Sequence, residues 1–215
     1  MMKFDLHIHS KYSKDSFMEP KRIIGIAKKR GLSGIAITDH NTISGSLEAE
    51  RVNKDNDFII VRGSEIKTEY GDIIGLFIRD EIKVRNFLDV YQEIKKQGGL
   101  VILPHPYSKN THFPEELISQ YIDIIEVLNS RQKEERNKKA FELAKRYNKP
   151  ISAGSDAHSY FEIGKSYIIL EEEIKNVNDL KSKLLKQGNR YSGKITPYYL
   201  SHGLSILYEK IKNYL

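Results

Sequence analysis

The sequence predicts an α/β fold built on a parallel sheet. Short β-rich runs alternate with amphipathic stretches about seven times along the 215 residues, which is the pattern of strands joined by crossover helices. Several of the β-rich runs are apolar throughout, as expected of strands that are buried on both faces. There is no linker rich in Pro, Gly or Ser and no repeat, so residues 1–215 are interpreted as one domain. A closed barrel and an open doubly wound sheet would both satisfy this order.

The predicted elements are strands and helices in alternation. The strand candidates are residues 3–8, 34–38, 58–62, 73–78, 100–104, 122–128, 150–153 and 166–170. The helix candidates are residues 20–30, 44–53, 84–97, 114–119, 131–147, 176–187 and 198–213. Pro20 lies near the first turn of the first helix and Gly31 follows its end, which are the positions that these residues favour. Gly98 and Gly99 end the third helix in the same way.

The composition excludes several kinds of site. The chain has no cysteine, which excludes disulfides, thiolate zinc sites, iron–sulfur clusters and a cysteine nucleophile. A bound metal would therefore need His, Asp, Glu or water as ligands. No apolar run approaches the ~20 residues that span a bilayer, and the first ten residues lack the apolar segment of a secretory signal. We expect a cytoplasmic protein that does not bind a membrane.

The net charge of +6 comes largely from one stretch of the chain. Residues 131–149 hold eight Lys or Arg and three Glu at helical spacing. We interpret this stretch as a solvated helix face. The alternative is a basic surface that binds a phosphate-rich substrate.

Five of the seven histidines lie at the C-terminal ends of predicted strands. They are His7, His9, His40, His105 and His158. Three carboxylates lie at the same ends, and these are Asp39, Glu65 and Asp156. In a parallel barrel such ends form one rim, and in an open sheet they form one crevice. The other two histidines, His112 and His202, lie in a polar loop and in a late helical stretch, and we interpret both as structural.

Two pairs of these residues have the spacing of metal ligands. Residues two apart in a strand point the same way, so His7 and His9 can face one ion. Asp156 and His158 have the same spacing, and a carboxylate such as Glu65 can bridge two cations. The cluster offers more ligands than one tetrahedral ion needs, so we expect more than one ion.

Five segments, in this order, resemble the PHP family (polymerase and histidinol phosphatase). They are DLHIHSKYSKDS, ITDHNT, GSEI, HP and GSDAHS. The closing YSGKITP is similar to the tail of short stand-alone members, and the match is closest to small metal-dependent phosphoesterases. The resemblance implies a distorted (β/α)7 TIM-like barrel in a single domain. Its metal-binding core would span about residues 3–170, followed by C-terminal helices in 171–215.

The resemblance also implies up to three divalent ions at the C-terminal rim. The implied ligands of the first ion are His7, His9, Glu65 and Asp156. Glu65 would bridge to a second ion near His105. The implied ligands of a third ion are Asp15, His40 and His158.

Two positions depart from the family pattern. Asp72, in EYGDII, stands where relatives often carry a histidine. It could bind a hard metal ion or serve as a turn residue beside Gly71. Asn129 also stands where some relatives carry a histidine ligand, and it could instead support the ligands. Both departures leave the occupancy of the second metal site open.

The expected reaction is hydrolysis of a phosphate ester. A cluster of divalent ions lowers the pKa of bound water to about 7 and neutralises the phosphoryl oxygens. We expect a metal-bound hydroxide to attack phosphorus in line, with Asp156 or His158 moving the proton and Glu65 bridging the ions. Arg131 is the first candidate for binding the substrate phosphate, because a guanidinium suits bidentate recognition. Ligands of this kind permit Mn²⁺, Zn²⁺ or Fe²⁺, two or three per chain.

The expected substrate is a small phosphorylated metabolite or nucleotide. A nucleoside bisphosphate or a short single-stranded oligonucleotide is favoured, and a histidinol-phosphatase-type phosphomonoesterase is the alternative. An amidohydrolase-type barrel and a non-catalytic scaffold are alternatives from other classes. The pair Asp156 and His158 together with Asp15 favours the PHP interpretation over an amidohydrolase. The apolar stretch 198–213 fits packing on the barrel as well as a dimer contact, so the oligomeric state stays open.

Overall fold

The computed structural model describes residues 1–197 and Leu200, and within them strands and helices alternate along most of the chain. The strands are β1 (Met2–Ile8), β2 (Gly34–Ile37), β3 (Ile59–Thr68), β4 (Gly71–Leu76), β5 (Leu100–Leu103), β6 (Ile124–Asn129), β7 (Ile151–Gly154), β8 (Ser166–Leu170) and β9 (Arg190–Gly193). The helices are α1 (Pro20–Lys29), α2 (Ser44–Val52), α3 (Phe87–Lys96), α4 (Ile118–Tyr121), α5 (Glu134–Arg146) and α6 (Val177–Leu184). A 3-10 turn, Glu115–Leu117, precedes α4. The helix predicted at 198–213 lies outside the described residues.

The strands form one sheet that is nearly closed into a barrel. Their order is β7-β6-β5-β4-β3-β2-β1-β8-β9. The two halves of β1 have different neighbours. Its first half pairs antiparallel with β8, and its last residue, Ile8, forms a parallel bridge with Ala157, just after β7. The barrel therefore closes at the C-terminal end of β1, and the predicted α/β barrel is confirmed.

The expectation of a purely parallel sheet is wrong at four pairings. β4 is antiparallel to both β3 and β5, and β8 is antiparallel to both β1 and β9. The sequence interpretation ended the third strand at residue 62, whereas β3 continues to Thr68 and turns back through Gly71. Because two residues are too few for a crossover, the pair can only be a hairpin. The hairpin places Asp72 opposite Lys67, near the C-terminal rim.

Some apolar side chains of the strands fill the inside of the barrel. Others pack against the helices on its outside. One cluster joins residues of β1 to β6 and β8 with Leu180 and Leu184 of α6, which cover the end of the barrel opposite the histidines. Helix α1 packs Ile23 and Ala27 against the outer face of β2. Burial of such side chains contributes roughly 1.5–3 kcal/mol each. The scaffold below the rim is therefore apolar.

Helix α5 presents most of the basic stretch noted above. It buries Ala140 and Leu143, while exposed lysines pair with glutamates one turn away. The distances are 2.8 Å for Lys138–Glu134 and 3.1 Å for Lys139–Glu135. This arrangement fits the interpretation of a solvated helix face.

In the part of the chain that the structure describes, no helix is both long enough and apolar enough to cross a membrane.

Candidate metal centre

The strand ends bring histidines and carboxylates into one buried cluster. The members are His7, His9, Asp15, His40, Glu65, His105, Asp156 and His158. His7 and Glu65 lie within β1 and β3, and the others follow β1, β2, β5 and β7. Most of them are shielded from solvent, whereas Asp15 and His40 are about one-third exposed. Their ligand atoms form three groups, each within 4.8 Å.

The first group is centred on the His-X-His pair. His7 Nε2 and His9 Nε2 lie 3.2 Å apart. Asp156 Oδ1 lies 3.2 Å from His9 Nε2 and 3.6 Å from His7 Nε2. Glu65 Oε2 lies 3.3 Å from His7 Nε2 and 3.2 Å from His9 Nε2. These four atoms converge on one point.

The second group uses the other oxygen of Glu65. His105 Nε2 lies 2.9 Å from Glu65 Oε1, and His7 completes the group. Glu65 thus faces two groups with its two oxygens, as a bridging carboxylate does. The His105 Nδ1 atom is buried and has no hydrogen-bond partner among residues 1–197.

The third group lies beside the loop that follows β1. Asp15 Oδ2 is 2.9 Å from His158 Nε2 and 3.6 Å from His40 Nε2. His9 also belongs to this group. Asp15 Oδ1 is buried without a partner among the described residues, so it is available to a ligand.

This donor set fits divalent metal ions. Two imidazole nitrogens 3.2 Å apart cannot both carry a proton without repulsion, whereas two lone pairs at that distance can bind one cation. The carboxylate oxygens around them add negative charge that cations would balance. Nitrogen and oxygen ligands without thiolate suit Zn²⁺, Mn²⁺ or Fe²⁺.

The charges of the cluster are strongly coupled. Burial alone would raise the pKa of Glu65, but His7 and His40 hold it well below its ordinary value. Burial would lower the pKa of His9, but Asp156 and Glu65 raise it to about 10. Without metal, the surrounding carboxylates therefore favour a proton on His9.

His158 is the exception among the histidines. Burial lowers its pKa to about 4, aided by the charges of His9 and Arg131, and Asp15 does not offset this. His158 is therefore neutral near pH 7, so one ring nitrogen can accept a proton or bind a cation. Its Nδ1 lies 2.9 Å from the carbonyl oxygen of Asp156, which fixes the ring orientation.

A second layer of polar groups holds the ligands in place. Glu126 Oε1 lies 3.0 Å from His7 Nδ1, so it can fix the tautomer in which Nε2 faces the centre. Glu126 Oε2 accepts hydrogen bonds from the His105 backbone N–H at 3.0 Å and from Asn129 Nδ2 at 2.9 Å. One buried carboxylate thus orients two ligands.

The chain near the first ligands is held by Asp39. It accepts hydrogen bonds from the Ser10 hydroxyl at 2.6 Å and from the Ser13 hydroxyl at 2.9 Å. Ser13 Oγ also lies 3.1 Å from His9 Nδ1. Asp39 therefore positions a ligand, and Ser10 has the supporting role of a hydrogen-bonded turn residue.

Local backbone distortions aim the ligands at the centre. The register of β1 shifts between Asp5 and Ile8, so Ile8 packs toward α1 while His7 faces the cluster. His105 and Asp156 both have left-handed backbone angles, with φ of 27° and 52°. Such conformations cost about 1–3 kcal/mol and concentrate at functional sites. Gly154 packs directly on His7, where a Cβ atom would have no space.

Two predicted site residues lie next to the clusters and not within them. Asp72 belongs to none of the three groups, although burial and the charge of Glu65 raise its pKa. Arg131 is nearly buried, and its Nε lies 3.8 Å from Glu162 Oε1. Its charge lowers the pKa values of both Asp156 and His158, after the effects of burial and nearer groups. Arg131 therefore acts on Asp156 and His158 through its charge.

Asn129 uses both ends of its amide. Its nitrogen donates to Glu126 and, at 3.3 Å, to Asp156 Oδ2, and its oxygen accepts from the Arg131 backbone N–H at 2.9 Å. The oxygen is therefore occupied, which favours the supporting role. His112, interpreted as structural, belongs to none of the three groups, and His202 lies outside the described residues.

The sequence interpretation missed three buried carboxylates, and these are Asp5, Glu126 and Glu162. Burial raises the pKa of Asp5 to about 6, and it accepts hydrogen bonds from the Ser155 and Gly164 backbone N–H groups. Glu162 accepts hydrogen bonds from the His158 backbone and from Ser159. A charged residue inside an apolar strand, as in IIEVL, was the available signal for Glu126.

Three proteins of known sequence are similar to this chain. A protein of Methanocaldococcus jannaschii is 35% identical over 196 residues, which cover 85% of this chain and 76% of that protein. A second protein of the same organism is 43% identical over 141 residues, 60% of this chain and 82% of that protein. A 5′-3′ exoribonuclease of Haemophilus influenzae is 37% identical over 105 residues, and the chain spans only 38% of that enzyme.

Solved structures share the barrel. A two-domain protein of Bacteroides vulgatus, containing a predicted PHP-like metal-dependent phosphoesterase, has a TM-score of 0.77 at 19% identity, over 90% of this chain and 65% of that one. PsfC from Pseudomonas syringae has a TM-score of 0.74 at 16% identity, over 98% of both chains. A family model described as PHP-associated matches residues 134–187. This match and the shared barrel agree with the motifs on the rim, and the chain belongs to the PHP family.

Proposed function

We propose that the protein is a hydrolase of phosphate esters that acts with two or three divalent metal ions. The observation that carries this proposal is the position of Glu65. Its Oε2 lies within 3.3 Å of His7 and His9, and its Oε1 lies 2.9 Å from His105. A carboxylate with both oxygens facing separate groups of imidazoles is the usual bridge of a multi-metal site.

The ions would be held by the three groups of residues described above. When bound, they lower the pKa of coordinated water and neutralise the charge on phosphoryl oxygens. The first ion would take His7, His9 and Asp156, with Glu65 as the bridge. The ring of His105 would serve the second ion, and Asp15, His40 and His158 would serve the third. Manganese, zinc and iron(II) are all compatible with this set.

The residues around the ions would perform the remaining steps. His158, whose pKa is lowered to about 4, is neutral near pH 7 and would offer the lone pair of Nε2 to the third ion. Asp156 stays ionised, because His7 and His9 hold its pKa well below the ordinary value in spite of burial. Arg131, whose charge lowers the pKa of Asp156, would stabilise negative charge on a phosphoryl oxygen.

The proposed substrate is a nucleoside bisphosphate or a short oligonucleotide. The support is the 37% identity to a 5′-3′ exoribonuclease over 105 residues, which cover 46% of this chain and 38% of that enzyme. A histidinol-phosphate substrate is a second outcome of the same assay.

The test is a phosphate-release assay with added manganese, zinc or iron(II). The panel contains nucleoside bisphosphates, short oligonucleotides, histidinol phosphate and sugar phosphates. We expect release from the nucleotide class, and a loss of about 10³-fold or more in His9→Ala, since this residue belongs to two of the groups. His112→Ala is the matched control and should keep full activity. Absence of phosphate release from every compound, or full activity of His9→Ala, would contradict the proposal.

A further inference from the structure

Glu162 is a buried carboxylate in the turn that follows the ligand His158. Its side chain is fully shielded from solvent. Its Oε2 atom accepts hydrogen bonds from the backbone N–H groups of His158 at 3.1 Å and Ser159 at 3.0 Å. The same oxygen accepts a third hydrogen bond from the Ser159 hydroxyl at 2.6 Å. Three donors on one oxygen fix the orientation of the carboxylate relative to the segment that carries His158.

The second oxygen of Glu162 has a different environment. Oε1 is buried and has no hydrogen-bond partner within the described part of the chain. It lies 3.8 Å from Nε of Arg131, whose side chain is only 7% exposed. The hydrogen bonds of the turn use Oε2 alone, so they do not account for the placement of Oε1. The charge that faces Arg131 is therefore a separate feature of this residue.

Arg131 is connected to the metal centre through its backbone and through its charge. Its backbone N–H donates to Asn129 Oδ1 at 2.9 Å, and Asn129 Nδ2 donates to Asp156 Oδ2 at 3.3 Å. Burial has the largest effect on the pKa values of Asp156 and His158, and the charge of Arg131 is among the groups that lower both. The guanidinium therefore lies near two of the residues that would surround a substrate phosphate.

A stabilising role does not account for this buried pair. Removing two charges from water costs free energy that their attraction offsets only with close contact and additional hydrogen bonds. The separation of 3.8 Å and the unpartnered Oε1 of Glu162 do not meet this condition within the described residues. A fixed carboxylate at this distance still restricts where a long arginine side chain places its charge. Orientation of Arg131 explains the pair better than stability does.

We propose that Glu162 is a positioning residue that holds the Arg131 guanidinium in the orientation that binds the substrate phosphate. The turn after β7 would serve as the fixed base, because the other oxygen of Glu162 is bound there. This inference rests on the proposed function and adds a residue that acts on the substrate only through Arg131. The turn would thus determine the positions of the ligand His158 and of the phosphate-binding cation together.

Glu162→Gln separates the two roles of the carboxylate. Glutamine keeps the size of the side chain and one acceptor oxygen. Because the three donors of the turn require that oxygen, the amide nitrogen would face Arg131 Nε, and the attraction would be lost. The measurement is calorimetric titration of manganese-loaded protein with inorganic phosphate. We expect the affinity to fall about tenfold, as for the loss of a charge-assisted contact, with unchanged metal content.

A double-mutant cycle with Arg131→Met shows whether Glu162 acts through the arginine. We expect Arg131→Met to lose about tenfold in phosphate affinity, and Glu162→Gln to cause no further loss when it is added to this variant. A merely structural role of Glu162 would make the two losses multiply. Multiplied losses, or unchanged affinity in Glu162→Gln, would overturn the inference.

Glu50→Gln is the matched control for this cycle. Like Glu162→Gln, it neutralises a carboxylate beside an arginine Nε, since Glu50 Oε2 lies 2.7 Å from Nε of Arg62. Glu50 lies on α2 and belongs to none of the three groups of ligands. Glu50→Gln should therefore bind phosphate as tightly as wild type, and a tenfold loss in this control would also overturn the inference.

A second variant covers a failure of Glu162→Gln to fold. Ser159→Ala removes the 2.6 Å hydrogen bond to Glu162 Oε2 and leaves both charges in place. It should weaken phosphate binding about threefold when Arg131 is present, and should have no effect in Arg131→Met. Equal losses with and without the arginine would contradict a role through Arg131.

The phosphate titration also separates this inference from the proposed function. If wild type releases no phosphate from any ester of the panel, the proposed function fails, and the same titrations still decide the role of Glu162. Tighter phosphate binding to wild type than to Glu162→Gln, only when Arg131 is present, supports the inference. Wild-type protein that binds no inorganic phosphate overturns it.

Discussion

The rim of the barrel and helix α5 are both rich in charged residues, but the charges are used differently. At the rim, His9, Glu65 and Asp156 are buried and converge within 3.2 Å. On α5, Lys138 and Glu134 are more than two-thirds exposed and pair one turn apart at 2.8 Å. Burial makes the first set strongly coupled, whereas solvent screens the second. The site is distinguished by buried charged groups that converge on one point, and less by the number of charged residues.

The largest expected effect is at the bridging carboxylate. Glu65→Gln removes the charge that faces both His7 and His105, so bound metal and phosphate release should both fall, the latter by about 10³-fold or more. Metal analysis and the phosphate assay measure this. Glu171→Gln, at an exposed carboxylate paired with Arg190, is the matched control. Normal metal content in Glu65→Gln would contradict the conclusion that the buried charges of the rim form a metal site.

A smaller effect is expected one layer behind the ligands. Glu126→Gln removes the charge beside His7 Nδ1 while keeping the size of the side chain. Loss of such a partner typically weakens metal binding by about 10- to 100-fold. Titration with a competing chelator measures the affinity. An unchanged affinity would mean that Glu126 is only a buried polar residue.

The pH dependence of stability should distinguish metal-free from metal-loaded protein. Although burial lowers the pKa of His9, its carboxylate neighbours raise it to about 10 in the metal-free fold. A histidine whose pKa is raised on folding stabilises the fold fully below about pH 6.5. This contribution is lost as the pH rises through about 10. The Tm of chelator-treated protein should therefore fall by roughly 5 °C or more between pH 7 and pH 9.

Two controls belong to this pH series. The Tm of metal-loaded protein should fall less between pH 7 and pH 9, because the ions replace the protons on the ring nitrogens. The Tm of metal-free His9→Ala should depend less steeply on pH than the Tm of metal-free wild type. Equal slopes for all three proteins would show that the cluster is not coupled as described.

The smallest effect is expected on α5. Lys138→Ala breaks an exposed ion pair with Glu134, and such pairs contribute little. We expect Tm to change by no more than about 1 °C and phosphate release to stay the same. Thermal unfolding and the standard assay measure both. A large loss of oligonucleotide cleavage would instead revive the alternative of a basic surface that binds substrate.

Much of the fold was predictable from local patterns. The apolar runs marked the strands β1 to β8, and Pro20 and Gly31 marked the ends of α1. Strand direction was not predictable in the same way, because β3 extends past its apolar run to Thr68 and pairs back on itself. Strand β9 is short and polar, so it carries no apolar signal.

The candidate site was predictable where a ligand follows a strand, as His40 and Asp156 do. Family resemblance alone pointed to Asp15, which lies in a loop with no periodic pattern. The shift of register in β1 was not predictable, although it turns His7 toward the centre. Neither was the role of Glu126, because its contact with His7 joins residues 119 positions apart.

The most direct test of the account is the metal content of the protein purified without an affinity tag. Mass spectrometry should find two or three divalent ions per chain in wild type. His9→Ala should lose most of this metal, and His112→Ala should keep it. Wild-type protein that binds no ion, even after incubation with manganese, zinc or iron(II), would contradict the account.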